Sequence, residues 1–357
     1  GHTLKLAGTL TSPAALNAIN GSVELAGTTG AQVIAGSMFA GKTIMDLKIS
    51  NAGGVSLSGV NDTLKISSLL HFGTSNAILN TNNNLTLLST AGGTASVGDL
   101  TGGGFYNGNN IIGNATVERF VPNHSKAWQF LSAPTSGQTV NAAWQEGNAP
   151  LANTTNPGYG TIITSNLGGN AAGSAALGFD IYTPAGPTMK TYDPLTDNWV
   201  GISATNIPIA NSKGYMLFVR GDRSVNAFNQ PATEVKLRTT GKLYTTGPDA
   251  PPVTNVLANK FESIGNPYAS AIDFSKLTRT GGVQDVFYVW DPKLTTGPNT
   301  AYGLGGYQSF VGTGTDYIVI PGGGSYAGGN TKIESGLAFF VHTVGSAGTV
   351  SFAENCK

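Results

Sequence analysis

A short alternation of apolar and polar residues recurs along the first third of the chain. Apolar-polar-apolar segments lie at 4–6, 23–25, 47–49, 64–66 and 85–87. They begin roughly every 20 residues, which is about the length of one coil of a β-helix. One such coil cannot bury its inward side chains alone, but stacked coils can. The pattern therefore predicts a β-solenoid of about five coils over residues 1–115.

Clusters of Gly, Asn, Ser and Thr separate these segments, for example at 27–30, 51–54 and 80–84. Gly and Asn readily adopt the conformations that tight turns need. Stacked Asn side chains can also form ladders from one coil to the next. We therefore expect the polar clusters to form the turns of the solenoid.

The pattern changes near residue 114, where longer alternating strands begin and aromatic residues become frequent. Residues 116–121 form the first such strand, and all four Trp lie beyond it. Aromatic side chains commonly fill the space between the two sheets of a β-sandwich. Residues 116–357 are therefore predicted to be an antiparallel β-sandwich region, which makes the chain all-β.

Three features recur in the same order within this second region. They are a strand that ends in Pro (128–134 and 261–267), an aromatic strand followed by Asp-Pro (189–194 and 286–292), and an Ile-to-Gly loop that leads into a hydrophobic strand (209–219 and 333–341). In the Asp-Pro pairs, Pro ends the strand and the Asp side chain caps the turn. The repetition indicates an internal duplication, with related units at about 116–225 and 255–345. The units could share one sandwich or lie in tandem.

Composition favours a secreted protein. Charged residues make up 11% of the chain, against about 25% in an ordinary globular protein. The 19 basic and 19 acidic residues cancel, which leaves no electrostatic footprint for nucleic acid or an anionic membrane. No apolar run approaches the roughly 18 to 20 residues of a spanning helix. No leader is recognisable, so we expect that it was removed or that the sequence starts inside a longer protein.

Several stretches of the second region resemble a pattern in large secreted and surface-attached proteins of Bacteroidetes bacteria, which the type IX secretion system exports. The stretches are 214–223, 264–274, 289–292 and 333–341. A solenoid in front of such a region is also typical of that class. The resemblance implies an extracellular or cell-surface location, a sorting domain that is cleaved or follows this sequence, and a role in adhesion, gliding or extracellular filaments.

Patterns that carry catalysis are sparse. A polysaccharide lyase or hydrolase needs acids on adjacent coils. The acidic residues of the solenoid are single and scattered: Glu24, Asp46, Asp62 and Asp99. The four His lie in separate segments without the spacing of a metal motif: His2, His71, His124 and His342. We therefore predict no enzyme and assign no catalytic or cofactor-binding residue, with a lyase whose acids converge only in the fold as the third hypothesis.

Three local features can each be interpreted in two ways. Asp193, Asp197 and Asn198 place oxygen ligands on one loop, as calcium requires, although an Asx-capped turn explains them as well. The integrin tripeptide at 220–222 is more simply a turn at a strand end. Cys356 has no intramolecular partner, so it is either incidental or forms an intermolecular link between subunits. The sequence therefore predicts no cofactor other than this calcium candidate.

Together these patterns favour an extracellular structural protein, either a module of a surface adhesin or a subunit of a self-assembling filament. The chain starts and ends in strand-like segments, 3–10 and 349–352, and an uncapped solenoid end is a template for strand addition. Other copies of the chain are therefore the expected partners. Deletion of 1–10 or 346–357 is expected to abolish assembly and leave the fold.

The alternative function is a carbohydrate-binding module that recognises surface glycans. In this hypothesis Trp199, Tyr302 or Tyr307 would stack on sugar rings. In either case stability would rest on backbone ladders and buried apolar groups. We therefore expect the fold to tolerate roughly pH 3 to 10.

Overall fold

The structure is a computed structural model of the chain. It describes residues 2–8, 15–103, 107–123, 126–148, 156–165, 167, 171–181, 186–294, 302–303, 305–314, 316–326 and 331–357. His124 and the side chain of Tyr302 lie outside this description. The predicted all-β class is confirmed. The helices in the described residues are short, and none has the length and apolar character to cross a membrane. They are α1 (Val140–Trp144), α2 (Ala171–Ala176) and the 3₁₀ turns η1 (Gly36–Met38), η2 (Gly247–Asp249), η3 (Phe274–Lys276), η4 (Gly324–Tyr326) and η5 (Glu354–Cys356).

The first third of the chain is a β-solenoid, as predicted. Its strands are β1 (Thr3–Leu6), β2 (Leu16–Leu25), β3 (Gln32–Ala35), β4 (Phe39–Ile49), β5 (Val55–Ser58), β6 (Leu64–Phe72), β7 (Ile78–Asn80), β8 (Leu85–Leu87), β9 (Ser89–Thr90), β10 (Gly93–Thr94), β11 (Ser96–Val97), β12 (Asn110–Ile112) and β13 (Asn114–Val121). One parallel sheet has the order β1-β2-β4-β6-β8-β13, and a second has the order β12-β7-β5-β3. β11 pairs with β6, and β9 and β10 form a hairpin.

Each of the five predicted segments lies in a successive strand of the first sheet: β1, β2, β4, β6 and β8. The second sheet contributes one strand per turn and has four strands, so the solenoid has about four turns, where about five coils were predicted. The register also differs at one step. Residues 64–66 do not stack on 47–49, because Ile66 pairs with Ile44 and Leu70 pairs with Leu47. β4 and β6 are long enough to carry two columns of inward side chains.

In the last four segments the flanking apolar residues point inward and are buried, for example Val23, Leu47 and Leu64, whereas Leu4 of the first segment is 39% exposed. Full burial of such a side chain stabilises the fold by about 1.5–3 kcal/mol. The middle residues of the first three segments point outward and align as Lys5, Glu24 and Lys48, and this row continues at His71 of β6. The Glu24 carboxylate lies 3.3 Å from Lys48 Nζ and 4.0 Å from Lys5 Nζ. Glu24 therefore faces outward, within a short ladder of alternating charge.

The rest of the chain forms antiparallel sheets. The strands are β14 (Lys126–Leu131), β15 (Thr135–Ser136), β16 (Met189–Asp193), β17 (Asn198–Gly201), β18 (Tyr215–Val219), β19 (Val235–Leu243), β20 (Thr254–Val256), β21 (Phe261–Gly265), β22 (Ile272–Asp273), β23 (Thr278–Arg279), β24 (Val283–Asp291), β25 (Tyr302–Gly303), β26 (Gly306–Gly312), β27 (Tyr317–Ile320), β28 (Lys332–Ile333), β29 (Ala338–Thr343) and β30 (Gly348–Ser351). β25 pairs parallel with β14, and β22 pairs with β28.

The strand order confirms the internal duplication. The first unit pairs a sheet β17-β16-β18-β14 with a sheet β13-β19-β15. The second unit repeats both, as β26-β24-β29-β21 and β20-β30-β23, with corresponding strands in corresponding places. One hydrophobic core fills each sandwich. The units run from 114 to 243 and from 254 to 351, so each extends beyond the predicted bounds to include its closing strand.

The two Asp-Pro turns form as predicted. Asp193 Oδ1 accepts a hydrogen bond from the Leu195 N–H at 3.0 Å. Asp291 Oδ1 accepts one from the Lys293 N–H at 2.9 Å. In both units the carboxylate therefore caps the turn that ends the aromatic strand.

The two regions do not meet at a linker. β13, predicted as the first sandwich strand, pairs parallel with β8 along one edge and antiparallel with β19 along the other. The boundary at 115 thus falls inside a strand that both regions share. Asn110 on β12 extends the join, because its side chain accepts from Thr245 Oγ1 at 2.6 Å and donates to Asp249 at 2.9 Å. This end of the solenoid is covered by the sandwich.

The C-terminal strand is internal, contrary to the prediction of an open edge at 349–352. β30 lies between β20 and β23. Val350 and Phe352 belong to the core of the second unit. Deletion of 346–357 would therefore disrupt this unit, and β30 itself offers no free edge for strand addition.

The two sandwiches contact each other reciprocally. Leu131 of the first unit bridges to Leu337 of the second, and Ile264 of the second bridges to Lys213 of the first. The Ser132 N–H donates to the Gly336 carbonyl at 2.9 Å, and the Gly265 N–H donates to the Ser212 carbonyl at 3.0 Å. Corresponding segments of the two units thus exchange similar contacts, with a register that differs by two residues. The duplication forms two sandwiches packed together and not one shared sandwich.

Candidate ligand pocket

An aromatic cluster fills the seam between the two sandwiches. Its buried members are Phe130, Tyr192, Met216, Ala338 and Phe340. The Phe340 ring lies 4.8 Å from that of Tyr192 and 5.1 Å from that of Phe130, measured between centroids. Aromatic contacts of this kind add about 0.5–1.5 kcal/mol each beyond area burial. The cluster holds the two units in a fixed relation.

A pocket of about 310 Å³ opens at the margin of this cluster. We call it the seam pocket, and it is lined by Trp128, Lys190, Trp199, Met216, Trp290 and Tyr307. Three of the four Trp of the chain therefore converge here. The size falls at the lower end of the roughly 300–1,000 Å³ range of small-molecule sites.

Both units contribute to the pocket walls. Trp128, Lys190 and Trp199 come from β14, β16 and β17 of the first unit, and Trp290 and Tyr307 come from β24 and β26 of the second. Trp290 and Tyr307 are cross-strand partners, with ring centroids 4.9 Å apart. The pocket therefore exists only when the two units are packed together.

The aromatic walls are held in place by packing and by one hydrogen bond across the seam. Trp199 lies edge-on to Phe130 at 5.6 Å and to Phe340 at the same distance. The Trp290 Nε1–H donates to the Trp128 carbonyl at 2.9 Å. The rings are only partly buried, so they present apolar surface at fixed angles to an entering ligand.

Two polar groups accompany the rings. Lys190 Nζ lies 5.0 Å from the centre of the Trp128 ring, a cation–π distance. Burial raises the pKa of Tyr307, so its hydroxyl stays protonated throughout the ordinary pH range. The pocket can thus offer ring faces and one ammonium group, whereas the Tyr307 hydroxyl oxygen is itself buried.

The predicted sugar-stacking residues fall partly in this pocket. Trp199 and Tyr307 are brought together there, whereas the Tyr302 side chain lies outside the described residues. Sequence reasoning missed Trp128 and Trp290, because each stands in a strand that reads as core. The duplication could have indicated these two residues, since both strands belong to the repeated pattern.

The loop proposed for calcium is fully used by protein contacts. Asp193 Oδ2 accepts from Thr196 Oγ1 at 2.8 Å, in addition to its bond from the Leu195 N–H. Asp197 accepts from Tyr192 at 3.0 Å and from Lys260 Nζ at 2.7 Å, and the Lys260 ammonium holds the pKa of Asp197 below its usual range. The Asn198 amide donates to the Thr196 carbonyl at 2.7 Å. The turn interpretation accounts for these contacts, and the calcium interpretation stays a prediction.

Cys356 lies in η5 and is fully buried in the core of the second unit. Burial raises the pKa of its thiol to about 11. The neighbouring Glu354 accepts from the Leu100 N–H at 2.8 Å, which ties this turn to the solenoid. In this fold the thiol is inaccessible to a second chain, so the intermolecular link predicted from its position is not supported.

The other candidate groups also have structural partners. Arg220 and Asp222 of the tripeptide are 7% and 8% exposed, which removes them from an integrin-type surface. Within the solenoid, Asp46 accepts from Ser22 Oγ, and Asp62 accepts from Ser37 Oγ on the preceding coil. These acids tie coils together. Among the described residues, no group of three His, Cys, Asp or Glu is placed to hold a metal ion.

A second open surface lies at the first coil of the solenoid. A groove of about 530 Å³ is lined by residues 2–4 and 16–22. Leu4 and Ile19 are 39% and 51% exposed in it. Within the described residues, no strand pairs with the outer edge of β1.

The chain matches no protein-family model, and no curated protein or solved structure shows significant similarity to it.

Proposed function

We propose that this chain is an extracellular structural module of an adhesin or filament, joined to copies of itself through the first coil of its solenoid. The observation that carries the proposal is the asymmetry of the solenoid ends. Within the part of the chain that the structure describes, one end is sealed by β19 and the 245–249 segment, whereas the other presents the β1 edge beside a groove with exposed apolar side chains. An uncovered parallel sheet edge favours strand addition.

The direction of the β1 backbone groups indicates which residue an added strand would pair with. The carbonyls of His2 and Leu6 accept from Ser22 and Ala26 of the next coil at 3.1 and 2.8 Å. Backbone groups alternate in direction along a strand, so those of Thr3 and Lys5 point away from β2. Lys5 therefore offers a free edge N–H without a role in the β1–β2 ladder.

Lys5→Pro removes this N–H, and Lys5→Ala is the matched control that keeps it. We expect the wild-type protein and Lys5→Ala to associate with rising concentration in sedimentation velocity, and Lys5→Pro to remain monomeric. Both variants lose the same contact to Glu24, so they differ only at the backbone. Equal association of Lys5→Pro, or a wild-type chain that stays monomeric at several hundred micromolar, would overturn the proposal.

A second candidate function is glycan binding at the seam pocket, and the convergence of three Trp side chains supports it. Fixed aromatic faces are the usual platform for the apolar face of a sugar ring, and rigid rings lose little entropy on binding. On a glycan array, we expect Trp199→Ala to abolish the binding shown by the wild-type chain. An array without hits would remove this candidate and leave the structural proposal intact.

A further inference from the structure

The seam pocket contains one charged side chain. Of its six lining residues, Lys190 is ionic and none carries a carboxylate. Within the described residues, the Lys190 ammonium has no ion pair or hydrogen bond, and its contact is with the Trp128 ring. An ammonium group has three donors. Lys190 can therefore give hydrogen bonds to a ligand without first losing a protein partner.

This charge selects among the ligands that an aromatic pocket can bind. Clusters of Trp and Tyr also bind quaternary ammonium groups through cation–π attraction. Here Lys190 already occupies the Trp128 ring face and would repel a second cation. The charge complementarity thus favours a ligand with an apolar face and a negative group beside it.

We infer that the seam pocket binds an acidic sugar, a uronic acid unit of a polysaccharide, whose ring stacks on the Trp faces and whose carboxylate pairs with Lys190. The inference rests on the proposed glycan-binding function and names its substrate class. A uronic acid is a pyranose ring with a carboxylate at C6, so both features lie on one small unit. A neutral sugar would use the rings and leave the ammonium without a counter-charge.

The Lys190 position also supports a geometric role. It stands on β16 opposite Met216 of β18, on the face of the sheet that meets the second unit. Its aliphatic stem is half-buried against the pocket wall, which fixes the height of the ammonium. The ring faces and the charge are therefore both held before the ligand arrives, which lowers the entropic cost of binding.

The test uses the full chain and two ligand pairs: trimers of galacturonic and of glucuronic acid, each with its methyl ester. Esterification removes the charge and keeps the ring. Titration is followed by tryptophan fluorescence and calorimetry. We expect an acid trimer to bind at least about tenfold more tightly than its ester, as for a charge-assisted hydrogen bond.

Two lysine variants complete the test. Lys190→Met, which keeps the aliphatic stem, is expected to reduce the affinity for the acid trimer to that for the ester. Lys242→Met, at an exposed position of β19, is expected to change nothing. Equal affinity for acid and ester, or an acid preference that survives in Lys190→Met, would overturn the inference. Array hits confined to neutral glycans would also overturn it while sustaining the glycan-binding function; no hits would remove both.

Discussion

Asparagine side chains connect neighbouring coils of the solenoid at their turns. Asn51 Nδ2 donates to the Gly30 carbonyl at 2.9 Å, and Asn109 Nδ2 donates to the Thr74 carbonyl at 2.8 Å. Both Asn residues are 1% exposed, and loss of either side chain would remove a hydrogen bond between coils, at a net cost of about 0.5–1.5 kcal/mol. The coils approach closely here, since a Cβ on Gly53 would lie 2.6 Å from the Gly30 oxygen. The predicted role of the polar clusters is confirmed.

The charge ladder on the outer face predicts a mild sensitivity to acid. A hydrogen bond from Ser50 Oγ at 2.7 Å, followed by the contacts with Lys48, lowers the pKa of Glu24 below its ordinary 4.5. Stability from this carboxylate is therefore present above about pH 4.5 and is lost as the pH falls through the folded pKa. We expect Glu24→Gln to reduce the free energy of unfolding at pH 7 by no more than about 1 kcal/mol.

Urea unfolding at pH 7 and pH 3 measures this effect. The difference between wild type and Glu24→Gln should shrink at pH 3, which lies below the ordinary pKa of a glutamate side chain, because the stability from the carboxylate is lost as the pH falls. Glu234→Gln, at an exposed position outside the ladder, serves as the control. A difference that persists at pH 3 would mean that Glu24 acts through packing and not through charge.

At the residue scale, side chains that act within one turn were predictable, and those that act across the fold were not. The Asp193 and Asp291 caps follow from the local Asp-Pro signal. The seam pocket joins Trp128 to Trp290, which are 162 positions apart. No local pattern relates such positions, because their meeting depends on how two finished sandwiches pack.

At the scale of elements, the repeated apolar segments located strands correctly because each strand core needs only a few alternating residues. The register between strands was harder to predict from the sequence. β4 and β6 continue for several residues beyond or before their apolar segments, so a spacing of 17 or 24 residues does not reveal which column stacks on which. The sequence also did not predict the role of β13, since one strand can pair parallel with one neighbour and antiparallel with the other.

The internal position of β30 gives a prediction opposite to that from the sequence. Deletion of 346–357 removes the middle strand of a three-stranded sheet together with three buried side chains: Val350, Phe352 and Cys356. Each such loss lowers the free energy of unfolding by about 2–5 kcal/mol. The free energy of unfolding of a whole domain is only about 5–15 kcal/mol. We therefore expect the second unit to unfold, with loss of near-ultraviolet circular dichroism and rapid proteolysis after residue 254.

Deletion of 1–8 is the matched control, because it removes an edge strand and leaves β2 as the new edge. This shorter chain should keep the near-ultraviolet spectrum of the wild type. If the chain without 346–357 has the native spectrum and urea midpoint, the assigned place of β30 is wrong.

At the scale of the whole molecule, the duplication was the most informative signal in the sequence. Three matched features in the same order predicted two related units, and the strand order of both sheets repeats. Their mutual arrangement was left open, since drift in loop lengths hides the contacts between Leu131 and Leu337 and between Lys213 and Ile264. The first unit also differs in using one of its strands to continue the solenoid, which the second does not.

One edge of the shared strand β13 stays unpaired during part of protein synthesis. Its free edge is completed by β19, and from Val121 to Leu243 the ribosome must add 122 residues. At about 5–20 residues per second, this takes roughly 6 to 24 s. During that interval the solenoid can stack its coils, but its last strand lacks a neighbour. The β13 end of the solenoid is thus open in the newborn chain, and the completion of β19 closes it.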